Sequence, residues 1–140
     1  MALGLNTSAW GPGTWLFLHS VTLSYPENPT DEDKERIKSF FLMLGNTLPC
    51  RYCRENYTRH LRKLPIQCNS RTELVLWLID VHSEVKMVVK KPVLTREGAL
   101  QKILCVYRKE VQNPCYIYYL FLFVAILLLT VCWSHQRRCR

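Results

Sequence analysis

Cys50 and Cys53 lie one helical turn apart, directly after Leu48-Pro49 and at the head of a stretch that reads as helix. Two thiols at that spacing can exchange electrons as a dithiol/disulfide pair. A helix N-terminus carries about half a positive charge, which favours thiolate over thiol. Arg51 and Arg54 push the same way. The C-x-x-C pattern is also half of a zinc site, so the rest of the chain has to decide.

A structural zinc ion needs about four nitrogen or sulfur ligands. Beyond the two cysteines the candidates are His60, Cys68 and His82, and there is neither a second C-x-x-C nor an H-x-x-x-H. A membrane-anchored, zinc-stabilised helical adaptor is therefore the alternative reading, one ligand short. A thioredoxin-like fold would need strands, and no segment alternates in hydropathy. With no G-x-G-x-x-G loop and no P-loop, any nucleotide cofactor must be held by other devices. Cysteine–histidine proteolysis fits the residue content, but a second cysteine one turn away favours disulfide chemistry.

The elements that must position these residues read as helices. Pro12 is expected to open the first, with Trp15, Leu18, His19, Thr22 and Tyr25 along one face. Thr30 caps the second, supported by Asp31, Glu32 and Asp33, and Gly45-Asn46 is expected to end it. Pro49 at the first helical position starts the third, which runs to about Lys63. Ser70-Arg71-Thr72-Glu73 is a capping box for a fourth helix carrying Leu74, Trp77, Leu78, Val81, His82 and Val85, closed by Pro92. Thr95 caps a short fifth segment. The expected fold is all-α: a four-helix bundle with a short fifth helix, plus a C-terminal transmembrane helix.

That last element rests on Tyr116 to Trp133, an unbroken run of 18 uncharged, mostly apolar residues. Such a length crosses a hydrocarbon core of about 30 Å, and the flanking tyrosines and Trp133 suit its two interfaces. With no basic, apolar leader ahead of it, the expectation is a single-pass tail anchor, on a host membrane or virion, with the soluble domain facing the cytosol. The division is 1–112 for that domain and 113–140 for anchor and basic tail. A net charge of +8 suits an anionic membrane face or a phosphate-bearing ligand. No nucleic-acid module is recognisable, so nucleic acid is not an expected partner. Seven cysteines in a cytosol-facing chain argue for catalytic thiols, metal or lipidation rather than structural disulfides. Cys132 and Cys139, beside the apolar run, are palmitoylation candidates or passengers.

Taken together, Trp10-Gly11-Pro12-x-x-Trp15-x-x-Leu18-His19, Tyr25-Pro26, Leu48-Pro49-Cys50-x-x-Cys53 and Trp77-x-x-x-x-His82-x-x-Val85, ending at Lys91-Pro92, resemble the Erv/ALR family of FAD-linked sulfhydryl oxidases. The compact, anchored form resembles the versions encoded by large cytoplasmic DNA viruses. The resemblance implies a helical bundle holding FAD, usually paired as a homodimer, that makes disulfides in protein thiol substrates and hands the electrons to O₂ as hydrogen peroxide. It implies Cys50 as the cysteine that exchanges with substrate and Cys53 as the one beside the flavin. Gly11, Trp15, His19, Tyr25, Cys53, His82, Val85, Lys86 and Lys91 are the implied FAD-binding positions, and no metal is implied. Where the family usually carries His-Asn-x-Val-Asn, this chain has His82-Ser83-Glu84-Val85-Lys86, and Lys90 replaces a common glycine. Ile79 and Arg96 stand where several cellular relatives place an extra disulfide. No shuttle pair is spaced like those of cellular relatives, and Cys68, Cys105 and Cys115 are single. A thioredoxin-like relay protein is the expected partner.

Overall fold

The computed structural model describes residues 5–111, Tyr119 and residues 121–126, and every element among them is an α-helix. Helix α1 spans Thr7–Leu23 and starts ahead of Pro12, because the Asn6 side chain accepts the Ser8 amide at 2.9 Å. Pro12 is thus interior rather than the opening residue. It removes one N–H near an exposed helix start, where solvent reaches the orphaned carbonyl.

Helix α2, Asp31–Thr47, opens on the expected cap: Thr30 Oγ1 accepts the Asp33 amide at 3.1 Å, and Asp33 returns the bond to the Thr30 amide at 3.0 Å. Gly45 does not end the helix as the sequence suggested. A Cβ built there would lie 3.0 Å from Thr58 Oγ1, so the glycine lets the next helix approach closely.

Helix α3 is Arg51–Lys63, with Cys50 as its N-cap and Pro49 one residue outside rather than at the first helical position. Helix α4, Arg71–Val88, begins with Ser70 Oγ accepting the Glu73 amide at 3.1 Å. It stops before Pro92, through a Schellman motif. Lys91 donates to the Lys86 carbonyl at 2.9 Å and Lys90 to that of Met87 at 3.1 Å, with Lys90 left-handed at φ 54°. Glycine would adopt that conformation more readily than lysine. Helix α5, Arg96–Val111, is a full 16-residue helix, capped by Thr95, where the sequence reading expected a short segment.

Helix α1 packs on α4, and α3 on both α2 and α4. Phe41 of α2 meets Trp77 of α4 edge to face at 4.8 Å, with Leu74, Leu78 and Val81 fully buried around them. Three side chains tie backbone to this core: Trp77 Nε1 donates to the Leu64 carbonyl and Tyr25 Oη to that of Cys68, both beyond helix ends, and Tyr57 Oη to that of Phe41 within α2, each at 3.0 Å. Arg96 forks onto Asp80, its Nε lying 2.8 Å from Oδ1, and so ties the start of α5 to α4. An ion pair thus links α4 and α5 where the family resemblance implied a disulfide through the positions of Ile79 and Arg96.

The chain divides into two compact units, Met1–Ile103 and Leu104–Arg140. Among the described residues no helix is long and apolar enough to cross a membrane. The expected span at 116–133 lies largely outside the described residues; of it, Tyr119 and residues 121–126 are helical and exposed.

Candidate active site

The head of α3 sets the chemistry. Cys50 and Cys53 are joined in a disulfide, and Cys50 Sγ also accepts the Cys53 amide at 3.2 Å, the bond an N-cap oxygen would ordinarily take. No acidic residue lies in the first turn of α3, and Arg54 donates to the Leu48 carbonyl, holding the loop that leads into the dithiol. Cys53 shares its helix face with Asn56, Tyr57 and His60, all buried, whereas Arg51 and Tyr52 face solvent. The helix therefore turns Cys53 inward. A reduced sulfur at this position gains from the helix field and from free N–H donors, which stabilises thiolate.

A second constellation forms between α1 and α4. The rings of Trp15 and His82 stack at 3.9 Å with 3° between planes, and His19 Nε2 lies 3.1 Å from His82 Nδ1. One of those nitrogens must donate and the other accept, so the accepting ring at least is neutral. Burial, then the charge of Lys86, lowers the His19 pKa to about 4. Burial, then Lys86, His19 and Lys102, lowers that of His82 to about 3. Nδ1 of His19 is buried without a hydrogen-bond partner, an orphan that calls for a ligand.

Lysines surround these rings. Lys86 is itself pushed below the usual lysine value by burial and by the charges of Lys102 and Lys91. Three cations held this close are costly to one another unless an anion joins them. Aromatic surface, an unpartnered buried ring nitrogen and clustered lysines fit a ligand that combines flat rings with phosphates. FAD has that chemistry, and the residues present fit it.

The structure thus brings together Trp15, His19, His82, Lys86 and Lys91, and separately Cys50 with Cys53. Gly11 has open space where a side chain would stand, so packing within the chain does not require glycine there. Val85 is half-buried one turn beyond His82. Tyr25, expected at the cofactor, is buried with its hydroxyl committed to the Cys68 carbonyl, a core-closing role. Sequence reasoning missed Lys102, because the fifth helix was read only for its apolar positions. Of the residues weighed for zinc, Cys50 and Cys53 are bonded to each other, the Cys68 carbonyl accepts the Tyr25 hydroxyl and His82 stacks on Trp15. Buried His60 has instead Glu84 Oε2 at 3.6 Å from its Nδ1.

Comparison with known proteins supplies the family. Residues 12–104 match the Erv1 / Alr family. A probable FAD-linked sulfhydryl oxidase of Acanthamoeba polyphaga mimivirus is 42% identical over 102 residues, covering 71% of each chain. The mitochondrial FAD-linked sulfhydryl oxidase ERV1 of Saccharomyces cerevisiae is 35% identical over 59% of this chain and 43% of its own length. Among solved structures, the yeast Erv1 core superposes with a TM-score of 0.67 at 29% identity, covering 71% of this chain and 85% of that one. The FAD-binding domain of the same protein gives 0.67 at 30% identity, over 70% and 93%. The chain belongs to the Erv1 / Alr family. It spans less than half the length of the yeast mitochondrial relative but most of the viral one.

Proposed function

We infer that this chain is an FAD-linked sulfhydryl oxidase that forms disulfides in protein substrates with the Cys50–Cys53 pair. The observation that carries the reading is the disulfide at the head of α3, in a chain that also holds stacked Trp15 and His82 beside clustered lysines.

A substrate thiolate attacks Cys50 Sγ, the sulfur at the helix start, and Cys53 leaves as a thiolate favoured by the helix field. A second substrate thiol attacks the mixed disulfide, releasing the oxidised substrate and leaving both active-site sulfurs reduced. Two electrons and two protons must then depart to restore the Cys50–Cys53 bond. FAD bound here would supply a two-electron acceptor for that pair, with O₂ as the final acceptor and hydrogen peroxide as the product. Trp15, His19 and His82 would hold its rings, and Lys86, Lys91 and Lys102 would neutralise its phosphates, with Gly11 and Val85 as further candidate contacts. The neutral His19–His82 pair adds no further positive charge at working pH.

The apolar run Tyr116–Trp133 serves as a membrane anchor for an oxidase domain of residues 1–112. Exposed Phe17, Leu42 and Met43 on α1 and α2 suit a homodimer, burying apolar surface that is otherwise in water. The purified chain should consume O₂ and produce hydrogen peroxide when given dithiothreitol. A folded, FAD-loaded preparation that does neither would contradict the assignment. Deleting Tyr116–Arg140 should release the enzyme from membranes and leave dithiothreitol oxidation nearly unchanged.

A further inference from the structure

Helix α3 carries five basic side chains and one acidic one in 13 residues, half of the net charge of +8 borne by the whole chain. Its solvent face runs through Arg51, Glu55, Arg59 and Arg62, one continuous stripe by helical spacing, with exposed Tyr52 along its edge. Glu55 answers Arg51 at 2.9 Å, and Glu84 lies 3.9 Å from Lys63. Among the described residues, Arg54, Arg59 and Arg62 have no acidic partner. Helix α2 shows what a merely solvated face looks like in this protein: Lys34, Arg36 and Lys38 each pair with an acid on their own helix.

The unbalanced stripe begins at the cysteine that meets substrate. Arg59 follows Cys50 by about 13 Å along the axis and Arg62 by about 18 Å, at a rise of roughly 1.5 Å per residue. A polypeptide that places a thiolate on Cys50 and continues along α3 must run past both guanidiniums. Arginine forks bind carboxylates, and unscreened cations beside a reactive centre accelerate the encounter with an oppositely charged partner.

We propose that the α3 stripe, chiefly Arg59 and Arg62, selects acidic protein thiols as substrates, docking carboxylates beside the cysteine to be oxidised. The proposal rests on the oxidase reading above and names its substrate class. Tyr52 adds an apolar contact at the reacting end, so the fitting partner carries a cysteine next to an apolar residue and a run of Asp or Glu within two or three helical turns.

The test uses the full chain in detergent and two reduced C-x-x-C peptides that differ only in a flank of three Glu or three Lys. With wild type at low salt, kcat/KM for the Glu peptide should exceed that for the Lys peptide about tenfold. The preference should shrink as salt shortens the screening length. Arg59→Glu/Arg62→Glu should abolish or invert it, Arg59→Lys/Arg62→Lys should restore most of it, and dithiothreitol turnover should stay within about twofold for both. Equal rates for the two peptides, or a preference that survives the double reversal, would overturn the proposal. So would a variant that slows both peptides and dithiothreitol together, because the arginines would then serve fold or chemistry. Failure of wild type to oxidise dithiothreitol would instead fell the oxidase reading, and the substrate assignment with it.

Discussion

At the head of α2 the Thr30 hydroxyl accepts the Asp33 amide at 3.1 Å, and at the head of α3 the Cys50 sulfur accepts the Cys53 amide at 3.2 Å. The two caps share a geometry and differ in the atom and in what surrounds it. Helix α2 fills its first turn with Asp31, Glu32 and Asp33, so its N-terminal field is answered by fixed carboxylates. Helix α3 has no acid in its first turn and brings Arg51 and Arg54 instead. Its field is left for a group that becomes negative only when the disulfide opens. The same partial charge is used in one place for stability and in the other for reactivity.

The largest effects should come from removing the sulfurs. Cys53→Ser and Cys50→Ser should each take dithiol turnover below detection. Cys50→Ser should keep a long-wavelength thiolate-to-flavin absorbance that Cys53→Ser lacks; the opposite pattern would reverse their roles.

Acid should separate the histidine cluster from the cap of α2. His19 and His82 have folded pKa values of about 4 and about 3, below the unfolded 6.5. Between those values the unfolded chain binds protons that the folded chain refuses, so stability is full above pH 6.5 and falls as pH drops toward 4. A loss on the order of 3 kcal/mol for each histidine, less what solvent reaching the rings removes, is expected by urea titration over that window, and His82→Gln should remove its share. Asp33, lowered by its hydrogen bonds to Thr30, adds a further loss only below the ordinary aspartate range near pH 3.8. A stability flat from pH 6.5 to 4.5 would show that the rings are not held neutral.

Giving α3 the head that α2 has is the sharper intervention. Arg51→Asp should disfavour thiolate at the head of α3 and slow reduction by dithiothreitol at neutral pH several-fold, read by stopped flow. Unfolding stability should change by less than about 1 kcal/mol, because the acid gained at the helix N-terminus is offset by loss of the Arg51–Glu55 pair. The smallest effect is the reciprocal one. Thr30→Ala should cost about 1 kcal/mol in denaturant unfolding and leave kcat unchanged; a parallel fall in kcat would mean the two heads are not independent.

Much of this was legible in the residues. The C-x-x-C after Leu48-Pro49, the apolar spacing around Trp77 and the Thr30 cap carried the bundle, because local hydrogen bonds and helical period act over a few residues. The errors share a cause. Pro12, Gly45 and Pro92 were read as punctuation, yet Asn6 caps earlier, Gly45 admits Thr58, and Lys90 ends α4 by itself turning left-handed. Each outcome depends on a neighbour that spacing does not reveal. The cluster of His19, His82, Lys86 and Lys102 joins α1, α4 and α5 across more than 80 residues of sequence, and only packing brings Lys102 there. Tyr25 sat in a recognisable motif, but its hydroxyl goes to Cys68, a partner 43 residues away.

The most direct test of the central claim is the visible spectrum of the purified chain under anaerobic titration. The protein should be yellow, with FAD released on denaturation. Dithiothreitol should bleach the flavin, and admitting air should restore it. A folded protein that stays colourless with added FAD, or a bound flavin that dithiothreitol does not bleach, would contradict it.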